Sequence, residues 1–251
     1  MTIYNNVLYS PDIPINALFG GPMKKGLLLP AFSILFFSLS FALEVPVLEK
    51  RYLNAKNRTD KAEINCILKE LNQPITYEGF LLKGKCLYTL SKIAAIEGDK
   101  DTCTDCATNA IISFDSAAGF YKGSIEAIYS KLLVYQLMSE LDWQKNAKYE
   151  EKIDAALKKM KTANPDSAYY KIGFSLRLIK AQTPIGGNAM EGIKQLSQYT
   201  NSTNDIELLL FIAEGYIHMK EYNKAKEIIA PILNKYPDNI WALSLSKASG
   251  E

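Results

Sequence analysis

An all-α fold is predicted by three observations. From residue 43 onward apolar residues recur three and four apart in segment after segment; no stretch keeps the alternation of a strand; and turn-forming clusters fall at helix-length intervals. The chain has 251 residues, 48% hydrophobic and 22% charged, ordinary for a folded protein with one large domain or two small ones. Its net charge is +2, so the basic excess expected of a nucleic-acid binder is missing. Short basic runs such as Lys158, Lys159 and Lys161 sit among acids and read as a solvated helix face.

The first 42 residues are set apart from that pattern. From Met23 two lysines precede an uncharged apolar run beginning at Gly26 and ending in Ser40-Phe41-Ala42. That order is expected of a secretory signal peptide over residues 23–42, cleaved after Ala42: the lysines stay in the cytoplasm, the apolar run enters the bilayer and the small residues suit the peptidase. The alternative is an anchor in the inner membrane formed by residues 26–42, which are few for a spanning helix and are broken by Pro30. No cysteine follows the run, which argues against a lipoprotein anchor. Residues 1–22 read as an extension ahead of a true start at Met23.

Helices are placed at about 59–71, 77–97, 104–114, 124–141 and 146–161, and the last begins near Ile240. Asn72-Gln73-Pro74, Gly98 to Asp101 and Asn164-Pro165-Asp166 divide them with turn chemistry. Two further pairs are split by Thr183 to Gly187 and by Asn201 to Asn204. The organisation expected is an N-terminal helical segment over 43–75 followed by a repeat domain over 76–251.

Helix pairs joined by short links invite a search for repetition. In residues 206–239, Leu209, Ile212, Ala213 and Tyr216 form the packing face of a first helix, Tyr222, Ala225 and Ile229 that of a second, and Pro237 closes the unit. The small Ala213 and Ala225 let two helix axes approach, and the two tyrosines are expected to fill the space beside them. This segment resembles a tetratricopeptide repeat (TPR). Upstream, Tyr169, Ile172, Gly173 and Leu176 oppose Ala189, Gly192, Leu196 and Tyr199 as a looser copy, and Tyr149, Ile153, Leu157 and Met160 lead to Pro165 as a more diverged one. The resemblance covers about residues 76–251 and implies a TPR-like right-handed α-solenoid of stacked antiparallel helix pairs. The Thr183-Pro184-Ile185-Gly186-Gly187-Asn188 turn looks like the Pro-x-x-Gly-Gly-Asp/Asn insertion of periplasmic repeat proteins associated with TRAP-type solute transporters, which would imply a part in solute uptake.

Four cysteines in an exported chain are expected to form two disulfides. Cys66 and Cys86 lie about symmetrically around the turn between the first two helices, and Cys103 and Cys106 are one helical turn apart, so the pairs Cys66–Cys86 and Cys103–Cys106 are expected. Two other chemistries compete for these residues: a redox-active Cys-x-x-Cys pair, which normally follows a strand, and a four-cysteine zinc site. Haem attachment needs histidine after the second cysteine, where this chain has Ala107. His218 is the only histidine, which removes most plans for a Ser-His or Cys-His dyad, and no phosphate-cradling or metalloprotease motif occurs. No catalytic residue, metal or cofactor is assigned.

Stacked pairs leave a curved inner wall made by their first helices. The positions expected to be exposed on it are Tyr170, Phe174 and Arg177 in one repeat and Glu207, Leu210, Glu214, Ile217 and His218 in the next, a mixture suited to a peptide or partner helix. The function expected is an exported, non-catalytic scaffold, most naturally in a bacterial periplasm, that binds a protein or peptide of the cell envelope. Its alternatives are a solute-binding accessory of a transporter and a thiol-disulfide protein using Cys103 and Cys106.

Overall fold

The computed structural model describes residues 45–141, 146–181, 186–202 and 206–250, and the segment from 45 onward belongs to one compact unit. Among the described residues every regular element is helical: α1 (45–58), α2 (Lys61–Glu70), α3 (Tyr77–Glu97), α4 (Lys100–Phe120), α5 (Ile125–Leu141), α6 (Asn146–Ala163), α7 (Ala168–Lys180), α8 (Ala189–Leu196), α9 (Glu207–His218), α10 (Tyr222–Lys235) and α11 (Ile240–Ala248). A 3-10 stretch, Ser197–Ser202, extends α8. The expected signal segment, residues 23–42, lies outside the described residues, as do residues 1–22.

Local chemistry sets the boundaries. Side-chain oxygens of Asp60, Thr76, Asp99, Asn188 and Asn239 accept hydrogen bonds from the backbone N–H three residues on, satisfying donors that helix starts leave open. Gly98, at φ 83°, ends α3 in the left-handed conformation that glycine adopts without steric cost.

Two elements differ from expectation. Helix α1 has no counterpart among the helices expected from the sequence, although Val45, Leu48, Tyr52 and Ala55 form a buried stripe spaced three, four and three apart. Pro46 stands in its first turn, where a proline nitrogen needs no partner. Helix α4 starts at Lys100 and runs to Phe120, well beyond the expected 104–114. Asp99, expected in the turn, caps its start by accepting from the Thr102 N–H, and beyond the expected end Ser116 donates to the carbonyl four residues back, so polar residues on both flanks are absorbed by the helix.

The helices pair as α3/α4, α5/α6, α7/α8 and α9/α10, and the first members of successive pairs touch: α3 with α5, α5 with α7, α7 with α9. This is an all-α solenoid. The last helix, α11, packs on α9 and also on α3, so the first helices close into a ring rather than an open wall. Helix α1 seals the junction. Tyr52 Oη lies 3.0 Å from Thr89 Oγ1 on α3, and Lys56 Nζ lies 2.9 Å from Glu207 Oε2 on α9. Asn239 Nδ2 donates to the Asn57 carbonyl at 2.8 Å, and Thr59 Oγ1 donates to the Asp238 carbonyl at 2.9 Å.

Within pairs the seams are apolar and tight. A Cβ on Gly192 would stand 2.6 Å from the Ser175 carbonyl oxygen of α7, and one on Gly84 would stand 2.4 Å from the Phe114 ring of α4, so both pairs need glycine for their close approach. Ala213 and Ala225 are fully buried between α9 and α10, as their small size predicts. Tyr222, the first residue of α10, is 40% exposed and does not fill that seam.

Candidate functional site

The inner faces of the ring carry charge at helical spacing. Helix α9 contributes Glu214 and His218, with Glu207 seven residues earlier in a neighbouring pocket beside Lys56; α3 contributes Tyr88 and Lys92; α5 contributes Gln136 and Glu140; α7 contributes Arg177 and Lys180; and α11 contributes Trp241. Each set lies three, four or seven apart, so each projects from one side of its helix. Two recesses result, of about 240 and 260 Å³, which share Gln136, Glu140, Lys180 and Glu214 as common walls. The first is backed by Phe211 and Trp241, whose rings meet edge to face at 4.9 Å. The second is bordered by Glu150, Arg177 and His218.

Most of the charges are paired. Glu207 receives Lys56 at 2.9 Å and a hydrogen bond from Tyr88 Oη at 3.2 Å. Burial alone would raise its pKa, but Lys56 and Lys92 beside it hold the carboxyl below the usual carboxylate range. Glu214 is likewise opposed by burial and held low by Lys180, whose Nζ lies 3.1 Å from Oε1, and by Lys92. Lys180 also donates to Glu140. Burial disfavours the Lys180 charge, but Glu214 and Glu140 overcome it and keep the ammonium protonated beyond the normal lysine range. Arg177 pairs with Glu150 and, at 3.2 Å, with Asp154.

Three groups on the walls are under-used. Gln136 is 4% exposed, and neither its Oε1 nor its Nε2 has a hydrogen-bond partner; Glu214 Oε2 is buried without one too. Lys92 has its closest carboxylate oxygen, Glu207 Oε1, at 3.8 Å, beyond hydrogen-bond reach, and its ammonium rests over the Trp241 and Phe211 rings. Burial drives its pKa down to about 7, against the pull of Glu207 and Glu214. Unsatisfied buried polar atoms are costly, so their concentration at one recess marks a place suited to a polar ligand.

The structure places Arg177, Glu214 and His218 on the second recess, and Glu207 beside Lys56 in a separate pocket that Leu210 also lines. Leu210 is corrected: at 1% exposure it is part of the core, because closure of the ring by α1 and α11 covers the face of α9 that an open solenoid would present. The same closure leaves Glu207 and Glu214 in internal ion pairs, each with little exposure. Ile217 is half-buried against the core. On α7, Tyr170 and Phe174 stack with ring centroids 6.1 Å apart, and Phe174 is 37% exposed. Sequence reasoning missed Lys92, Gln136, Glu140, Lys180 and Trp241. The available signal was a lone polar residue inside an apolar run, as Gln136 is in LLVYQLM.

The four cysteines are free thiols in the structure, so the expected Cys66–Cys86 and Cys103–Cys106 bridges are not formed in it. Helix α2 turns Ile64 and Ile67 inward and leaves Cys66 exposed, whereas Cys86 is buried. Cys103 faces Ser91, its Sγ 3.2 Å from Oγ. Burial pushes the Cys86 thiol up to about 12 and raises those of Cys103 and Cys106, opposite to the direction a nucleophilic Cys-x-x-Cys pair requires. Among the described residues no group of three His, Cys, Asp or Glu is placed to hold a metal ion, and no helix is long and apolar enough to cross a membrane.

No protein-family model and no curated protein matches this chain. Among solved structures it is similar to a thermophilic TPR protein of Thermus thermophilus, with a TM-score of 0.50 and 15% identity over 83% of this chain and 98% of that one. At that identity the likeness speaks to the fold: the chain has a TPR-like architecture.

Proposed function

We propose that the protein is a non-catalytic binding scaffold of the cell envelope that docks a segment of another protein on the face of α7 leading to its inner recesses. The observation that carries this reading is the exposed Phe174 ring stacked on the half-buried Tyr170, followed one turn later by Arg177, which borders a recess together with the exposed His218. Stacked aromatics beside an arginine are the residue types that dominate docking energetics. The envelope location is supported by the Met23–Ala42 pattern alone, with cleavage after Ala42 or retention as a membrane anchor as its two forms.

The test is capture of envelope proteins with the tagged wild type and with a Tyr170→Ala, Phe174→Ala variant. A partner recovered with the wild type and reduced about tenfold with the variant, at unchanged helicity, supports the surface. Equal recovery rejects it. N-terminal sequencing of the envelope-fraction protein should begin at Leu43, and a start upstream of it would remove the cleaved form.

A second reading has its own observation. The 260 Å³ recess is bordered by Ala181, close in sequence to the Thr183-Pro184-Ile185-Gly186-Gly187-Asn188 motif that suggests a solute-binding accessory of a transporter and whose first three residues lie outside the described residues. The thiol-disulfide reading gains no such support, since burial raises the thiols of Cys103 and Cys106.

A further inference from the structure

We infer that the inner recess is a binding site for a short peptide with both ends free, of dipeptide size, in which Lys92 receives the carboxylate, Glu214 the ammonium and Gln136 the intervening amide. This deepens the solute-binding reading and rests on it, with the ligand placed in the adjoining 240 Å³ recess, which shares Gln136, Glu140, Lys180 and Glu214 with the 260 Å³ one. It is independent of docking on α7.

Each assignment comes from a group whose bonding capacity is left over. A glutamine side chain offers two N–H donors and one carbonyl, the complement of a peptide unit, and Gln136 has both ends unused at 4% exposure while bordering both recesses. Glu214 gives Oε1 to Lys180 and keeps Oε2 buried and unpartnered, an acceptor suited to an incoming ammonium. Lys92 has three donors and its closest carboxylate oxygen at 3.8 Å, so a ligand carboxylate would supply the hydrogen bonds it lacks.

Charge balance selects a zwitterion over an anion or a cation. With Lys92 protonated, as it is in the complex, the recess that holds it also contains Lys180, Glu140 and Glu214, two bases against two acids. A ligand of net charge would leave one charge uncompensated in a desolvated place, whereas a zwitterion adds equal and opposite charges, each opposite a waiting partner. Size agrees: the recess measures about 240 Å³, small for a folded element. Phe211, Trp241 and Leu245 give it an apolar wall for small side chains.

Binding is expected to be linked to protons. The charged and titratable groups around Lys92 are Tyr88 on its own helix, Lys56 on α1, Glu140 on α5, Lys180 on α7, and Glu207 and Glu214 on α9. An arriving carboxylate adds negative charge to this set and favours the protonated ammonium. At pH 7.5 the complex therefore takes up protons, and affinity declines as the pH rises further.

Calorimetric titration of the purified protein with alanylalanine decides the matter. Saturable binding is expected, with an enthalpy that varies with the ionisation heat of the buffer. N-acetylalanylalanine, alanylalanine amide and free alanine should each bind about tenfold or more weakly, having lost one recognised group. The Gln136→Leu protein should lower alanylalanine to the level of alanine, and Glu214→Gln should abolish discrimination against the acetylated form. Because the blocked ligands probe the same contacts in the unaltered protein, the outcome stands even if a variant misfolds. Succinate, alanine or either blocked dipeptide binding as tightly as alanylalanine overturns the free-ended peptide while keeping a solute site. Absence of binding by alanylalanine, alanine and succinate alike overturns both.

Discussion

The seams between paired helices and the inner wall of the ring solve opposite problems. In the seams small residues let the two helices of a pair approach: Gly84 lies under Phe114, Gly192 under the Ser175 carbonyl, and Ala213 and Ala225 are fully buried. On the wall carboxylates and ammonium groups are brought into one desolvated space, and their partners arrive from distant parts of the chain. Lys56 and Glu207 are 151 residues apart, and Lys180 reaches both Glu140 and Glu214. A seam is thus specified by neighbours in sequence and tolerates no added volume. The wall is specified by ring closure and tolerates no lost charge.

The largest effect is expected where that difference is sharpest, at Lys180. Its side chain is 13% exposed, and replacing it by methionine preserves most of the volume while leaving Glu214 without its bonded cation. Removing one partner of a buried pair costs about 3–5 kcal/mol because the remaining charge is stranded. Chemical denaturation of Lys180→Met should show a loss in that range. The loss should shrink in Lys180→Met combined with Glu214→Leu, where no charge is stranded at α9. A loss below about 1 kcal/mol for the single variant would place the pair in effectively solvated surroundings.

Added volume is expected to break a seam by a smaller amount. In Gly192→Ala the new methyl meets a backbone oxygen, which cannot move without shifting α7, so a destabilisation of about 1–3 kcal/mol is expected in thermal or denaturant melts. Gly119, near the end of α4, serves as the control because a methyl group there would meet nothing within 4 Å, and alanine at that position should be neutral or favourable by up to about 1 kcal/mol. Equal responses at the two sites would mean that the α7/α8 seam yields easily and that glycine is not required there.

The same contrast explains what can be read from the sequence. The helix repeat, the α9/α10 unit and the boundaries at Gly98 and Ile240 depend on periodicity and caps, which are local and therefore legible. Helix α4 is underestimated from sequence because Asp99, placed in a turn, caps the helix itself, and Ser116 beyond the expected end gives its hydroxyl to the Ile112 carbonyl. Arg177, Glu207, Glu214 and His218 fall on the inner side because first-helix positions follow from the repeat frame. Their partners are illegible: whether Glu207 faces solvent or Lys56 depends on α1 and α11 closing the ring, and no local pattern announces that closure. Leu210 is misplaced for the same reason.

Lys92 tests the wall from the other side, since its charge is a burden rather than an anchor. Glu207 keeps Lys56 and Tyr88 without it, and Glu214 keeps Lys180, so Lys92→Met strands no carboxylate. A well-packed apolar replacement for a buried charge is commonly stabilising, and a gain of about 1–3 kcal/mol is expected near pH 7. The sign of its pH dependence follows from the lowered pKa. Between about 7, where the folded chain releases this proton, and 10.5, the ordinary lysine value, the unfolded chain binds a proton that the folded chain does not. The unfavourable contribution of Lys92 is therefore complete below pH 7 and fades as the pH rises toward 10.5. The difference in stability between Lys92→Met and the wild type should be greatest at pH 6 to 7 and decline toward pH 10 in denaturation measured across that range. A difference constant with pH would mean that Lys92 keeps its charge on the wall, and that Glu207 reaches it more closely than 3.8 Å.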